Sequence, residues 1–419
     1  MQEPRYTLLQ VLEHLWWIIL PAFVVSLVVT PIFRALAYRY RIVDRPDDLL
    51  KPHGRPVAYL GGLGIWLGLM VGLGGYLFTL PGLGANWSGA IDDLASFRIG
   101  HLLGLTAPQL AGKELPNPVW NLLGVMLSST IIMVVGLLDD VNDLHPRQKI
   151  AGQVLAAGVL LAGGIGPRMA NVLFQGFDLH PPAWIYVPLS VVLCMVFVIG
   201  ACNATNLLDG LDGLCGGVTG IIALGFLALA VWLATWGHKP GIDELRIGLA
   251  MAMAGAILGF LPYNVPPASI FMGDAGSMLL GFFVATMMAL FCQENNPRWL
   301  LAALVVYALP ILDTALALVR RLLSGTSIFA GDRSHLYDQL VDRGMSIKQV
   351  VALFYALSIG AAALAVTVAI WLRFRYAVLI YTLLLAAVWN VFWKAGMIHP
   401  APHVPKSDKS GHSPPGDGL

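Results

Sequence analysis

The chain has 419 residues, of which 57% are hydrophobic and only 12% are charged. Because a soluble domain carries about 25% charged residues, this composition excludes an ordinary soluble protein. The formal net charge is +1, and the sequence has no basic stripe with interleaved aromatic residues, which excludes a typical nucleic-acid-binding protein. Apolar runs of about 20 residues recur along the whole chain, so we expect a polytopic integral membrane protein.

Eleven apolar segments are predicted to cross the membrane as helices, which makes the fold all-α and residues 1–396 one transmembrane domain. In chain order the predicted spans are 15–38, 58–80, 119–138, 150–166, 184–202, 213–236, 246–262, 275–293, 299–320, 348–371 and 375–396. Most of the 25 lysines and arginines fall in alternate connections, which the positive-inside rule places in the cytoplasm. The N-terminus is therefore predicted outside and the C-terminus inside. Residues 397–419 are rich in Pro, Gly and Ser and are predicted to be disordered.

The most polar stretch between two apolar segments is VIGACNATNLLDGLDGL, residues 198–214. Four polar residues recur in it at intervals of three, and a glycine follows the first acid: Asn203, Asn206, Asp209, Asp212 and Gly210. This spacing predicts one side of a helix or of a tight helix-turn-helix. Such a row at the edge of lipid-spanning segments is costly unless it binds something, so we interpret it as part of a functional site.

The other polar motifs fall on the same predicted inner face. The five inner connections that we expect to form the site are 41–57, 139–149, 203–213, 263–275 and 321–347. Outside the polar row, their candidate residues are Lys51, His53, Asp139, Asp140, Lys149, Asn264, Asp274, Arg321, Arg333 and His335. Clustered acids with basic residues facing them suit a site for a divalent metal ion and a polyanion.

The two neighbouring acids at the end of the third span are expected to act differently. Side chains of adjacent helical residues point about 100° apart, so Asp139 and Asp140 cannot serve one point. One would hold a metal while the other meets a proton or a nucleophile. The alternative is a surface pair beside Arg147 and Lys149, but two acids abutting an apolar span are expensive.

Three further residues carry an open alternative. Asp274 lies between two glycines and either approaches a ligand closely or caps the eighth span. His335 is interpreted as functional, with a structural histidine as the alternative. Asp313 lies within the ninth span and is interpreted as structural, paired with Arg320 or with polar neighbours.

These motifs resemble those of the polyprenyl-phosphate N-acetylhexosamine-1-phosphate transferases (glycosyltransferase family 4). The resemblance covers about residues 30–350 and rests on six motifs in order: VDRPDDLLKPHGRPVAYLGG, GLLDD, NATNLLDGLDGL, YNVPPASIFMGDAGS, PILDTALALVRR and DRSHL. The family usually has a His-rich run after DR, whereas this sequence keeps only His335, in DRSHLYD. The span count and the KPHGRPVAYLGG loop favour the branch that uses UDP-GlcNAc, and the branch that transfers phospho-MurNAc-pentapeptide is the alternative.

The resemblance implies a role for each candidate residue. The implied catalytic acids are Asp139, Asp140, Asp209 and Asp212. The implied ligands of Mg²⁺, or of Mn²⁺ in its place, are Asp140 and Asp274. The implied substrate-binding residues are Asn203, Asn206, Gly210, Asn264, Phe271, Arg321, Arg333, His335, Lys51, His53 and Lys149, with Phe271 as a face for uracil, Arg321 on the diphosphate and His335 on the donor.

The implied reaction transfers HexNAc-1-phosphate from a UDP-sugar to undecaprenyl phosphate in the inner leaflet of a bacterial inner membrane. UMP is the second product, and a homodimer is the assembly to test. Direct transfer and an aspartyl-phosphate at Asp139 both remain open. A membrane transporter is the distant alternative, because transporter sites lie near the bilayer midplane within inverted repeats.

Overall fold

The computed structural model describes residues 15–44, 56–77, 118–176, 178–237, 242–294, 296–325 and 335–398. Within these ranges the chain forms fourteen α-helices and one pair of two-residue strands. The helices are α1 Ile19–Tyr40, α2 Gly61–Leu77, α3 Pro118–Asn142, α4 Pro146–Ala162, α5 Asn171–Gln175, α6 Ala183–Leu207, α7 Leu214–Gly237, α8 Ile242–Asn264, α9 Gly273–Cys292, α10 Pro297–Val306, α11 Ala308–Leu323, α12 Leu336–Asp342, α13 Ile347–Trp371 and α14 Phe374–Lys394. The strands are β1 Val43–Asp44 and β2 Val57–Ala58.

The helices confirm that the chain is a polytopic membrane protein. Each of the eleven predicted spans coincides with a helix or, in one case, with a bent pair of helices. Among the described residues, eight helices are long and apolar enough to cross a membrane, or nine if the bent pair counts as one span. The two remaining segments, α2 and α4, have 17 residues each, so the count of eleven spans stays a prediction, as does the orientation of the termini.

The ninth predicted span is two helices rather than one. Helices α10 and α11 meet at Tyr307 with a bend of 73°. The Tyr307 hydroxyl lies 3.1 Å from the carbonyl oxygen of Ala201 and 2.7 Å from the hydroxyl of Thr205, both on α6. These buried bonds fix the break to a neighbouring helix, a cause that hydropathy does not reveal. Beyond the break, α11 buries Asp313 and exposes Leu322 and Leu323 on its other side.

A short antiparallel pair departs from the all-α prediction. Strands β1 and β2 pair Val43 with Ala58, and Ala58 also bridges to Ile270 in the loop before α9. The first amides of α2 continue this attachment, since Gly61 N and Gly62 N donate to the carbonyls at 271 and 272 at 3.0 and 2.9 Å. The start of α2 is therefore fastened to the start of α9.

Helix α9 runs through the centre of the bundle, with every residue of 275–292 buried. Glycines let its neighbours approach closely: a Cβ on Gly136 of α3 would lie 2.5 Å from the Asp274 carbonyl oxygen and from Ala275 Cα. At the far end of α9, the fully buried Arg246 of α8 pairs with Asp243 and Glu294 at 2.9 and 2.6 Å. Close packing at one end and buried ion pairs at the other fix the N-terminus of α9 beside the end of α3.

Candidate active site

Asp140 caps the first turn of a helix to which it does not belong. Its Oδ1 accepts a hydrogen bond from Asp274 N at 2.8 Å, and its Oδ2 accepts one from Ala275 N at 3.1 Å. A carboxylate at a helix N-terminus is stabilised by the unpaired amides and by the helix dipole. Gly273 makes the approach feasible, because its φ is +66° and a Cβ there would lie 2.5 Å from Asp140 Oδ2. This contact locks α3 to α9 at the site.

Asp139 and Asp274 are joined by one ammonium group. Lys149 Nζ forms an ion pair with Asp139 Oδ2 and lies 3.0 Å from Asp274 Oδ2. The other oxygen of Asp274 accepts from Asn206 Nδ2 at 2.7 Å. The other oxygen of Asp139 accepts from Leu144 N at 2.8 Å. Side chains from α3, α4, α6 and α9 therefore meet in one polar cluster, and its three acids outnumber its one lysine.

The turn between α3 and α4 places Lys149. Helix α4 starts with a capping box, in which His145 Nδ1 accepts from Arg147 N at 3.3 Å and Gln148 Oε1 accepts from His145 N at 2.9 Å. Pro146 occupies the first helical position, where its missing N–H costs nothing. Because the chain reverses in this short turn, the first turn of α4 carries Lys149 back over Asp139.

The DGLDG turn after α6 carries two more acids near the cluster. Helix α6 ends at Leu207, so Asn203 and Asn206 lie on a helix and the acids lie in the turn. Burial raises the pKa of Asp209 well above its usual range, and the negative charges of Asp274, Asp140 and Asp212 raise it further. Asp209 therefore lies within electrostatic range of the cluster.

Asp212 and Asn264 hold the turn to the loop before α9. Asp212 Oδ2 accepts from Ala268 N at 2.8 Å. Asn264 is buried, accepts from Gly213 N and donates to Ile270 O, both at 3.1 Å. Both side chains bind the backbone here, so a catalytic role for Asp212 and a substrate role for Asn264 stay predictions.

The remaining predicted substrate residues near the turn have identified neighbours. Asn203 Nδ2 donates to Gln153 Oε1 at 3.0 Å, which ties α6 to α4. The ring of Phe271 meets the ring of Tyr59 edge-on, with centroids 6.0 Å apart. Gly210 abuts the hydroxyl of Tyr337, which leaves no room for a Cβ.

His335 is buried and is held by Asp313. Its Nδ1 lies 2.8 Å from Asp313 Oδ2, while the second oxygen of Asp313 accepts from Leu336 N at 2.6 Å. The polar neighbour expected for Asp313 is thus a histidine. The His335 ring stacks on that of Tyr337, whose hydroxyl donates to Leu207 O at 3.1 Å. These contacts join the start of α12 to the end of α6, beside Gly210.

The structure tests none of the roles predicted for four substrate residues. Arg321 lies half-buried in the last turn of α11, and its grip on a diphosphate stays a prediction. Lys51, His53 and Arg333 lie outside the described residues.

An open cavity of about 710 Å³ adjoins the cluster. Its charged lining residues are Asp44, Asp139, Asp140, Asp143, Asp274, Arg41 and Lys149. No site role was predicted for four of the lining residues, Asp44, Asp143, Arg41 and Tyr59. Asp44 lies in the VDRPDD motif, is buried, and hydrogen-bonds the Tyr59 side chain. Burial and the charge of Asp44 raise the pKa of Tyr59 above its usual range, so its hydroxyl keeps its proton at neutral pH.

Known proteins are similar to this chain over most of its length. Residues 122–292 match the family described as Glycosyl transferase family 4. A protein of Bacillus subtilis (strain 168) named probable undecaprenyl-phosphate N-acetylglucosaminyl 1-phosphate transferase is 30% identical over 345 residues, covering 80% of this chain and 81% of its own. The chain belongs to glycosyl transferase family 4. The resemblance that the six motifs indicated is therefore confirmed.

Two further relatives represent the two branches of this family, one each. The decaprenyl-phosphate N-acetylglucosaminephosphotransferase of Mycobacterium tuberculosis (strain ATCC 25618 / H37Rv) is 31% identical over 353 residues, which cover 80% of this chain and 78% of its own. The phospho-N-acetylmuramoyl-pentapeptide-transferase of Shouchella clausii (strain KSM-K16) is 33% identical over 253 residues, which cover 57% of this chain and 71% of its own. The similar proteins thus include members of both branches, and those named for N-acetylglucosaminyl transfer cover 80% of this chain.

The carboxylate oxygens of the cluster are the kind of ligand that a hard divalent cation prefers. Mg²⁺ takes oxygen ligands, commonly one or two carboxylates together with substrate phosphates. Asp139 and Asp274 supply carboxylate oxygens around one positive group, Lys149. Within the described part of the chain, no three His, Cys, Asp or Glu side chains are grouped as metal ligands.

Proposed function

We propose that this protein transfers N-acetylglucosamine-1-phosphate from UDP-GlcNAc to undecaprenyl phosphate, giving undecaprenyl-diphospho-GlcNAc and UMP. This step would prime the synthesis of a cell-surface glycan. The carrying observation is the cluster in which Asp139, Asp140 and Asp274 meet Lys149 and Asn206 beside an open cavity. Two relatives that cover 80% of the chain are named for N-acetylglucosaminyl-phosphate transfer to a polyprenyl phosphate.

Charge and position support this chemistry. In the transfer, an oxygen of the lipid phosphate bonds to the β-phosphorus, and the bond from that phosphorus to the bridging oxygen breaks, so UMP leaves with the bridging oxygen. Phosphoryl transfer depends mainly on positioning and charge neutralisation. Lys149, partly exposed at the cavity, offers an ammonium to the diphosphate. Asn206 orients Asp274 through its amide.

Asp139 and Asp274 are the better candidates to hold Mg²⁺. When bound, Mg²⁺ supplies neutralisation of charge on the diphosphate and on departing UMP. The family resemblance implies Asp140 and Asp274 as the metal ligands, yet Asp140 directs both of its oxygens to backbone amides. We therefore favour Asp139 as the second ligand and assign Asp140 to positioning α9.

The lipid phosphate needs orientation more than a base. A phosphate monoester has a second pKa near 6 and is largely ionised at neutral pH. Asp139 accepts from Leu144 N and forms an ion pair with Lys149, so it is placed to hold a cation.

The site would face the cytoplasm of a bacterial inner membrane. The acids lie at the ends of α3 and α6 and the start of α9, so they meet at one end of the bundle. The basic inner connections favour the cytoplasmic side for this end. Undecaprenyl phosphate would then arrive from the inner leaflet, and a homodimer remains the assembly to examine.

The test is a transfer assay on the purified protein. UMP release would be measured with undecaprenyl phosphate and UDP-GlcNAc, UDP-GalNAc or UDP-MurNAc-pentapeptide, each with and without Mg²⁺. We expect UMP only with lipid, UDP-GlcNAc and Mg²⁺ together. Preferred use of UDP-MurNAc-pentapeptide would move the protein to the other branch, and no UMP release from any donor would refute the proposal.

A further inference from the structure

The ammonium of Lys149 occupies the space that a cation shared by two carboxylates would take. It forms an ion pair with Asp139 and lies 3.0 Å from Asp274 Oδ2. The three side chains come from three different helices, α4, α3 and α9. The two acids are thus already bridged by a positive charge that belongs to the protein.

Lys149 is held by two ion pairs but remains accessible from the cavity. Its side chain is 27% exposed and lines the cavity, as does that of Asp274 with the same exposure, whereas Asp139 is only 6% exposed. A lysine is a point charge on a flexible four-carbon stem. Its ammonium can therefore turn from the acids to an anion in the cavity without any movement of α4.

We propose that Lys149 gates the divalent-cation site. In the free protein its ammonium holds the place between Asp139 and Asp274, and the diphosphate of the sugar nucleotide draws it away, which opens both carboxylates. This inference rests on the proposed function, because it concerns the same site and the same substrate class. The Lys149 ammonium and the divalent cation are both positive and compete for the same position. The cation therefore binds tightly only after the ammonium has moved to the diphosphate.

The gate predicts a coupling that ordinary charge repulsion does not. A fixed lysine lowers cation affinity by the same factor whether or not a nucleotide is bound. A lysine that changes partner lowers cation affinity only in the absence of the diphosphate. Cation and diphosphate then strengthen one another's binding by the same factor, since coupling between two sites is reciprocal.

Mn²⁺ binding tests this without turnover. Purified full-length protein in nanodiscs is titrated with Mn²⁺ and followed by the electron paramagnetic resonance of free Mn²⁺. Titrations are run with and without UDP, in the absence of lipid phosphate, and corrected for Mn²⁺ held by free UDP. We expect UDP to raise the Mn²⁺ affinity of the unaltered protein about 5- to 150-fold, the usual range of coupling between sites.

Removing the lysine charge should weaken the coupling between the two ligands. Without UDP, Lys149→Met should bind Mn²⁺ more tightly than the unaltered protein by about 5- to 150-fold, and UDP should raise its affinity by a smaller factor than in the unaltered protein, since only the direct contact between cation and phosphates remains. Lys149→Arg keeps the charge and should keep weak binding without UDP. Arg147→Met is the matched control, because Arg147 is exposed on the same turn of α4 and its loss should leave the coupling intact.

The outcomes separate the gate from the proposed reaction. Lys149→Gln is the second variant if melting shows that Lys149→Met does not fold. The gate is overturned if the folded variant binds Mn²⁺ no more tightly than the unaltered protein without UDP. It is also overturned if the variant gains affinity equally with and without UDP. UMP release by the unaltered protein with lipid phosphate is judged apart and can stand while the gate fails.

Discussion

Replacing Gly273 with alanine tests the junction between α3 and α9. Gly273 has a φ of +66°, and a Cβ built on it would lie 2.5 Å from Asp140 Oδ2 and 2.7 Å from Asp140 Oδ1. Both of these oxygens are held by backbone amides at the start of α9. The Asp140 carboxylate therefore cannot make room for the added methyl group without breaking its hydrogen bonds to these amides.

Two costs add at this position. An alanine in the left-handed region costs about 1–2 kcal/mol, and overpacking a close contact costs about 1–3 kcal/mol. We expect Gly273→Ala to lower the free energy of unfolding by about 2–5 kcal/mol in total. A displacement of Asp274 by about 1 Å should also slow transfer by about 10²-fold, as is typical when reacting groups are misplaced.

The assay compares melting and UMP release of the variant with those of a matched glycine variant. Gly200 lies within α6 and has nothing within 4 Å of a built Cβ. Gly200→Ala should melt at the same temperature or higher, because alanine favours a helix over glycine by about 1 kcal/mol. Gly273→Ala should melt at least about 2 °C lower. Equal melting and equal UMP release for the two variants would refute the reasoning.

Three more variants probe contacts away from the cluster. Arg246→Met leaves two buried carboxylates without this cation and should destabilise the fold by about 3–5 kcal/mol, seen as a lower melting temperature with normal UMP release per folded molecule. Asn264→Ala strips a backbone N–H and a C=O of their partner and should cost about 1–3 kcal/mol for each group, again read by melting; unchanged melting would contradict the hydrogen bonds described. Asp313→Asn weakens the hold on His335, so the KM for UDP-GlcNAc should rise more than kcat falls; a fall in kcat alone would argue against donor binding there.

Hydropathy and turn residues were enough to locate the long apolar helices, because each one needs its own apolar run, but they did not predict the short helices α5 and α12. They did not reveal the bend at Tyr307. The apolar run continues through this residue, and the bonds that hold the break come from Ala201 and Thr205 on α6. A cause more than 100 residues away in sequence leaves no local pattern, so this span was predicted as a single helix.

The sequence predicts which acids belong to the candidate site but not which groups they contact. Adjacent acids at the end of an apolar run indicated different roles for Asp139 and Asp140, and the structure gives them different partners. The cap that Asp140 provides to α9 joins residues 134 positions apart. Asp44 and Tyr59 were missed because only the pairing of two-residue strands brings them to the cavity.

The most direct test of the central claim is the transfer rate of Asp274→Asn against that of Asp178→Asn. Asp178 is an acid whose side chain is 99% exposed, and its φ of +55° suits asparagine equally well. With UDP-GlcNAc, undecaprenyl phosphate and Mg²⁺, Asp178→Asn should release UMP at the unaltered rate. Asp274→Asn should lose at least about 10²-fold, the scale of removing one group that stabilises transition-state charge. Equal rates for the two variants would contradict the claim that the clustered acids carry the reaction.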